Sequence, residues 1–194
     1  MNDFQFIHGG IDMKGFTLIE LMASTAILTI LLTVGMPSLG SLLDSYHAKT
    51  TLSVLQNTLQ QARSLALAKS QYTLVCPMTD NECVADWNQP LSIFVDLNNN
   101  KTLDDGDTLH LRVGNENTHG FWQKKRITQN YIKFTPQGHA FSSATTFLYC
   151  PHSGKQNHAK QLVINFQGRI RINSYLSQQG TPYSSISPLT CPPP

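Results

Sequence analysis

The sequence has 194 residues, of which 13% are charged and 40% are hydrophobic, and its formal net charge is +2 at pH 7. This length suits a single domain. The seven histidines are scattered, and the sequence contains no Gly-x-Ser-x-Gly, His-Glu-x-x-His or phosphate-binding glycine loop, so the residues argue against an enzyme and predict no cofactor and no metal.

The most informative stretch is a long apolar run that begins directly after Lys14-Gly15. No residue from Leu21 to Leu43 is charged, and as a helix this segment would span roughly 34 Å, enough to cross the core of a bilayer. One carboxylate, Glu20, stands near the start of the run. A charge in such a segment costs several kcal/mol unless it has a partner, so Glu20 is predicted to be a functional residue.

Three interpretations of this stretch compete. It is a secretory signal cut after the apolar run near residues 38–40, an uncut membrane anchor, or a leader cut between Gly15 and Phe16. The first two have no need of the carboxylate of Glu20. Cleavage after Gly15 would create an ammonium group on Phe16, about one helical turn from Glu20, and in a helical assembly this carboxylate could neutralise the ammonium of a neighbouring subunit. The residues therefore favour the third interpretation.

The segment Gly15-Phe16-Thr17-Leu18-Ile19-Glu20-Leu21 resembles the processing site of type IV pilins and type II secretion pseudopilins. The resemblance implies that a prepilin peptidase cuts after Gly15 and N-methylates Phe16, and that Glu20 guides the docking of subunits. It also implies that the N-terminal helix binds other major and minor pilins. The chain would sit in the inner membrane as a single-pass protein with a periplasmic head before it enters a pilus at the cell surface.

The helix that starts at Phe16 is predicted to continue to about Ser70, with a kink or local melting at Pro37. An apolar stripe at helical spacing indicates a face buried against a globular domain, and it contains Leu52, Leu55, Leu59, Ala62 and Ala66. The expected organisation is a leader at 1–15, a transmembrane half of the helix at 16–43, an amphipathic half at 44–70, a β-rich head at 71–176 and a Ser/Pro-rich tail at 177–194.

Beyond the helix the sequence changes to patterns typical of strands. Predicted strands cover 72–76, 91–95, 109–113, 127–134, 144–149 and 162–166, followed by another at 169–173. Two short echoes, each a strand followed by a glycine turn, occur at Phe134-Thr135-Pro136-Gln137-Gly138 and at Phe166-Gln167-Gly168. The oxygen side chains between Asp96 and Asp107 have the spacing of a calcium loop. However, Lys101 replaces the expected glycine and Asp107 the expected glutamate, so a hairpin turn is favoured over a calcium site.

Four cysteines form an even set, which favours two disulfides in an exported domain. Local closure suggests that Cys76 pairs with Cys83 and leaves Cys150 for Cys191, although four cysteines allow three connectivities. A pair between Cys150 and Cys191 would tether the tail to the head. A zinc site around Cys150 and nearby histidines is rejected because the spacing fits no standard zinc motif.

Charge is distributed unevenly along the chain. Acidic residues dominate from Asp80 to Asp107, whereas from Arg112 to the end nine basic residues face Glu116 alone, a side-chain balance of +8. Such asymmetry indicates a polyanionic partner, and the alternative is a solvated face that serves solubility. One basic cluster, Lys124-Lys125-Arg126, follows Phe121-Trp122 and mixes charge with surface suitable for stacking.

The second basic cluster is Gly168-Arg169-Ile170-Arg171-Ile172-Asn173. In a strand, Arg169 and Arg171 would share one face roughly 7 Å apart, about the spacing of successive phosphates on a nucleic-acid strand. Gly168 would supply the tight turn or the close backbone approach that starts the strand. Guanidinium groups suit bidentate contacts to phosphate. The alternative is an edge strand protected from aggregation by its charges.

The globular part is similar to the FimT/GspH family of minor pilins and pseudopilins. The similarity is carried by Arg63 to Lys69, Cys76-Pro77, the segment from Ile93 to Asn98, and Phe134-Thr135-Pro136-Gln137-Gly138. Gly168-Arg169-Ile170-Arg171 matches the Gly-Arg-x-Arg pattern of FimT-like members.

This resemblance implies an α+β fold in which a long N-terminal helix packs on a β-rich head of antiparallel sheets. FimT-like members with this pattern are linked to DNA binding during natural transformation. The resemblance thus implies a minor pilin of a type IV pilus that binds duplex DNA nonspecifically through phosphate contacts. The alternative is a structural subunit that primes assembly of a pilus or a type II secretion pseudopilus and binds no DNA.

Overall fold

The computed structural model of the chain describes residues 15–114, 119–125, 129–140, 144–173 and 191. These residues form a long helix and nine strands. The helix is α1 (Leu18–Lys69), and the strands are β1 (Thr73–Thr79), β2 (Glu82–Cys83), β3 (Leu91–Val95), β4 (Thr108–Val113), β5 (Gly120–Lys125), β6 (Ile132–Phe134), β7 (Thr145–Pro151), β8 (Lys160–Ile164) and β9 (Ile170–Asn173).

Helix α1 has a defined beginning and end. The hydroxyl of Thr17 accepts a hydrogen bond from the backbone N–H of Glu20 at 3.3 Å, which is the N-cap contact of a Thr-x-x-Glu capping box. At the other end, Ser70 adopts a left-handed conformation with a φ of 54°, and the N–H of Gln71 donates to the carbonyl of Ala66 at 3.3 Å. The helix runs through Pro37, so the local melting predicted there is wrong. Because a proline removes only one backbone donor, the flanking turns of a 52-residue helix remain intact.

The chain divides into two compact units, Met1–Ser41 and Leu42–Pro194. In the first unit the described side chains from Gly15 to Thr33 are exposed. Several hydroxyls there donate to carbonyls of their own helix, as Ser24 does to Glu20 at 2.7 Å. No helix in the described part of the chain combines the length and the apolar character needed to cross a membrane.

In the second unit, α1 packs on two antiparallel sheets. One has the strand order β2-β1-β3-β4, with β6 also paired to β1, and the other has the order β5-β7-β8-β9. The predicted apolar stripe is buried: Leu52, Leu55, Leu59, Ala62 and Ala66 are each at most 1% exposed, and Ala48, one turn before it, is buried as well. They form one core with side chains of both sheets, among them Ile93, Phe134, Phe147 and Leu162. This arrangement confirms the predicted α+β fold.

The opposite face of each sheet carries a smaller apolar cluster that contains a disulfide. Cys76 lies with Leu74 and Phe94 on the first sheet and is bonded to Cys83. On the second sheet, Cys150 lies in a cluster with Leu148 and Ala159 and is bonded to Cys191. These are the pairs that local closure suggested, and Cys150 is therefore not available to zinc.

The last described residue, Cys191, is held by more than its disulfide. Its N–H donates to Oε1 of Gln156 and its carbonyl accepts from Nε2 of Gln156, both at 3.0 Å. Tethering of the tail at this residue was predicted, whereas the rest of the tail from 177 onward lies outside the described residues.

Most predicted strands are present with small shifts at their ends. The prediction of 91–95 coincides with β3, and those of 109–113, 144–149 and 162–166 correspond to β4, β7 and β8. Strands β2 and β5 are not predicted from the sequence. The residues of β5 form a basic and aromatic cluster there, because the alternation of inward and outward residues depends on the pairing of β5 with β7.

We predict that the disulfide between Cys150 and Cys191 stabilises the head more than the one between Cys76 and Cys83. The first closes a separation of 41 residues and the second a separation of 7. Loop entropy then gives losses of about 4 and about 2.5 kcal/mol for the paired serine variants. Urea unfolding under non-reducing conditions measures both, with reduced wild-type protein as the control. Equal losses, or the reverse order, would contradict the loop-entropy explanation.

Candidate nucleic-acid interface

Strands β8 and β9 form a hairpin at one edge of the four-stranded sheet. In their register Ile170 lies opposite Ile164, and Arg171 lies opposite Val163. Ile170 packs against the main core, so Arg171 falls on the other face, as the alternation of a strand requires. The side chain of Arg171 is exposed. Arg171 therefore lies on the face opposite Ile170, as the alternation of the sequence predicts.

Arg169 lies in the turn and not in the strand. The N–H of Gly168 donates to the carbonyl of Asn165 at 2.9 Å, and the N–H of Asn165 donates to the carbonyl of Arg169 at 3.1 Å. Gly168 has a φ of 72°, in the left-handed region. This pattern is that of a short hairpin loop in which a turn is followed by a left-handed glycine. The strand predicted at 169–173 thus begins one residue later, and Arg169 is an exposed residue at its entrance.

Gly168 is required for a second reason, which is a close approach between two turns. A Cβ atom at this position would lie 2.1 Å from the carbonyl oxygen of Gly138. The two glycine turns that echo each other in the sequence are therefore in contact. The N–H of Ala140 donates to the carbonyl of Phe166 at 3.0 Å and adds a backbone link between them.

Arg63 on α1 ties both turns to the helix. Its Nε donates to the carbonyl of Gly138 at 2.9 Å, and its Nη2 donates to the carbonyl of Gln167 at 3.1 Å. Hydrogen bonds from a charged donor contribute more than those between neutral groups. The sequence predicts no role for Arg63. The feature that indicates one is an arginine next to the apolar stripe of α1, combined with two turns whose carbonyls need donors.

The hairpin thus presents two arginines from a fixed backbone. Among the described residues, the side chains of Arg169 and Arg171 have no hydrogen-bond or ion-pair partner, and both are exposed. Two guanidinium groups that need no local counter-charge can each make a bidentate contact with a phosphate.

Lys124 does not belong to this surface. It lies opposite Phe147 in the register of β5 and β7, and its ammonium lies 5.9 Å from the ring centroid of Trp87 and donates to the carbonyl of Gln129. Burial lowers the pKa of Lys124 below its ordinary value. Lys124 thus lies on the core face of its sheet and not on the face of Arg171, and its contact with DNA stays a prediction. Nothing is described of the side chain of Lys125, and Arg126 lies outside the described residues.

The backbone of Lys125 is nevertheless aligned with the hairpin. Register pairs Lys125 with Thr146, Thr146 with Val163, and Val163 with Arg171, so these four residues form one row across the second sheet. Three interstrand steps separate the ends of this row by roughly 14 Å. A nucleic-acid backbone that crosses the sheet along this row would meet a basic position at each end.

Other basic residues of the C-terminal half have local partners. Lys155 forms an ion pair with Asp44 at 3.6 Å. Lys133 donates to Oδ1 of Asn99 at 3.2 Å and lies over the ring of Tyr72 at 5.1 Å. Part of the basic charge of this half is thus paired inside the head, whereas Arg169 and Arg171 are exposed.

The acidic segment from Asp96 to Asp107 is a turn stabilised by its own side chains. The buried carboxylate of Asp96 accepts the N–H groups of Asn100 and Lys101, and Oδ1 of Asp107 accepts the N–H of Leu97 at 2.9 Å. Asn99 and Lys101 adopt left-handed conformations, which a turn of this kind requires. Within the described residues, no group of three His, Cys, Asp or Glu side chains is arranged to hold a metal ion.

Two models of known protein families match parts of this chain. A family described as type II transport protein GspH matches residues 52–168, and the prokaryotic N-terminal methylation motif matches residues 12–36. The chain belongs to the GspH family. It is accordingly a minor pilin of the type IV pilus and type II secretion family, whose members assemble with other pilins in a filament. The GspH match ends at Gly168, directly before Arg169.

Two solved structures of the type IV minor pilin FimU from Pseudomonas aeruginosa (strain PAO1) are similar to this GspH-family chain. Both are 23% identical to it and cover 64% of it, and the match covers 86% and 90% of the FimU chains. The TM-scores are 0.49 and 0.48. No curated protein matches the chain significantly.

In this GspH-family head, we predict that Gly168→Ala destabilises much more than Gly106→Ala. Both glycines have positive φ, so both substitutions incur backbone strain of about 1–3 kcal/mol. A Cβ at Gly106 meets nothing within 4 Å, whereas a Cβ at Gly168 meets a backbone oxygen and separates the two turns. Denaturant unfolding measures the difference. Equal losses of stability would show that the contact with Gly138 contributes nothing.

Proposed function

We propose that this minor pilin enters a type IV pilus and binds DNA nonspecifically during DNA uptake, through phosphate contacts of Arg169 and Arg171. The observation that carries the proposal is the pair of exposed arginines, without described side-chain partners, on a hairpin whose turn is fixed by Arg63. Because the backbone is fixed before binding, little backbone ordering has to accompany the contact with DNA.

Electrostatics determine how such a site would behave. Each guanidinium that contacts a phosphate releases condensed counterions, so affinity falls steeply with salt and shows no dependence on sequence. Two arginines, with Lys125 at the far end of the row, give a small interface. We therefore expect micromolar or weaker binding per subunit.

The N-terminus supports a route into the filament. Prepilin peptidase would cut after Gly15 and methylate Phe16, and the match to the N-terminal methylation motif at residues 12–36 supports this step. Both Phe16 and Glu20 are exposed, so Glu20 is accessible to the ammonium of a neighbouring subunit. The chain would wait in the inner membrane with its head in the periplasm and then join other pilins at the cell surface.

The second candidate function is a purely structural one. The family description names type II transport, which favours a pseudopilin or an assembly-priming subunit that binds only other pilins. The arginines would then only protect the edge strand β9 from pairing with other chains. Their removal would promote aggregation and leave DNA affinity unchanged.

We predict that the Arg169→Gln/Arg171→Gln double variant loses at least tenfold in affinity for duplex DNA and that its salt slope falls by about 2, because two phosphate contacts are lost. Titration of the purified full-length protein in mild detergent at several salt concentrations measures both quantities. Arg112→Gln is the matched control, since Arg112 is an exposed arginine on β4 of the other sheet. It should bind as wild type does.

Unchanged DNA binding by the double variant would show that Arg169 and Arg171 do not form the DNA site. An equal loss in the double variant and in Arg112→Gln would indicate a diffuse charge effect in place of a defined site. Aggregation of the double variant with normal DNA affinity would favour the structural alternative.

A further inference from the structure

The tip of the β8–β9 hairpin carries an exposed aromatic ring. Phe166 follows Asn165 in the turn that ends at Gly168, and it is 59% exposed. It stands three residues before Arg169 in the same loop. Neither flanking residue is apolar: Asn165 and Gln167 are polar residues of the kind that turns commonly contain.

The backbone around Phe166 is held firmly while its ring faces solvent. The carbonyl of Phe166 accepts from Ala140 at 3.0 Å, and the carbonyl of the next residue, Gln167, accepts from Arg63 at 3.1 Å. Gly168 then lies against Gly138. An aromatic side chain has two χ angles, so a ring on such a fixed backbone loses little conformational entropy when it binds a flat partner.

The fold itself has no evident use for this ring. Phe166 belongs to none of the three buried apolar clusters of the described residues. Its main-chain atoms make the contacts that hold the turn, and any L-residue at this position could make them. A large exposed apolar group in the same hairpin as two cations that have no partner among the described residues is the combination from which surfaces for single-stranded nucleic acid are built, since bases stack on the ring while cations contact the phosphates.

We infer that Phe166 stacks on an unpaired base, so the DNA site takes single-stranded DNA in preference to duplex; this inference rests on the proposed function of Arg169 and Arg171. In a duplex the base faces are covered by neighbouring pairs, and exposing one requires that the bases be unstacked. Proteins that insert a wedge recover the cost of unstacking by wrapping DNA over a large surface. A hairpin tip with two arginines is too small for that, whereas every unpaired base offers it a free face.

The inference is tested with Phe166→Ala, Phe166→Leu and Phe166→Trp in the full-length protein in mild detergent, at one salt concentration. The probes are an oligothymidine single strand and a duplex of the same length. We expect wild type to prefer the single strand. Phe166→Ala and Phe166→Leu should each weaken binding of the single strand about tenfold and change binding of the duplex less than twofold, because leucine keeps apolar bulk but has no π-face. Phe166→Trp should retain single-strand affinity.

Fluorescence gives a second readout that a structural role would not produce. The native Trp87 and Trp122 are 3% and 6% exposed, so a stacked base would not reach them. The indole introduced by Phe166→Trp is exposed, and the single strand should quench its emission while the duplex leaves it unchanged. Leu97→Ala is the control for the removal of an exposed apolar side chain elsewhere, since Leu97 lies in the loop after β3 of the five-stranded sheet and is 52% exposed.

The outcomes separate this inference from the function on which it rests. If Arg169→Gln/Arg171→Gln weakens both probes while Phe166→Ala weakens neither, or weakens both equally, stacking is wrong and the phosphate site stands. If the arginine variant weakens neither probe, the proposed function itself fails. Loss of single-strand binding in Phe166→Leu and Phe166→Ala, with quenching in Phe166→Trp, supports both the stacking of Phe166 and the proposed phosphate site.

Discussion

Burial of one apolar stripe on α1 holds the head together. The stripe from Ala48 to Ala66 is covered on one side by the five-stranded sheet and on the other by the four-stranded sheet, and all three form a single core. Each sheet then has a second face, and each of these faces is closed by a small apolar cluster with its own disulfide. The positions at which the strands end around this helix determine which loops come into contact.

One such meeting point forms the candidate interface. Arg63 leaves the edge of the stripe and donates to the carbonyls of two glycine turns, and the turns touch each other where Gly168 meets Gly138. Gly138 is buried, and a buried carbonyl without a donor costs about 1–3 kcal/mol, so the guanidinium satisfies an acceptor there and adds a hydrogen bond to the exposed Gln167. The same contacts fix the backbone that carries Phe166 and Arg169. Arg63 and the arginines that we propose to bind DNA are therefore carried by neighbouring elements of this head, and they differ in that Arg63 has partners within the fold.

The basic residues of the C-terminal half likewise include some that have partners within the fold and others that are exposed. Lys124, Lys133 and Lys155 each contact a group of the head. A count of basic residues along the chain overstates the surface that a polyanion would meet. Arg169 and Arg171 remain exposed at the edge of the second sheet, where β9 has no strand beyond it among the described residues.

The sequence alone determined the features that depend on local pattern. The helical period of the stripe from Leu52 to Ala66, the strand at 91–95, the closure of nearby cysteines and the motif around Gly15 can each be recognised within a few residues, because period and spacing are local properties. Tertiary structure alone decided which residues meet across the chain. Lys124 faces Trp87 because of the register of β5 and β7, and Arg63 reaches Gly138 and Gln167 because two distant turns end beside the same helix face. Such contacts follow from the packing of the whole core, which no short stretch of sequence encodes.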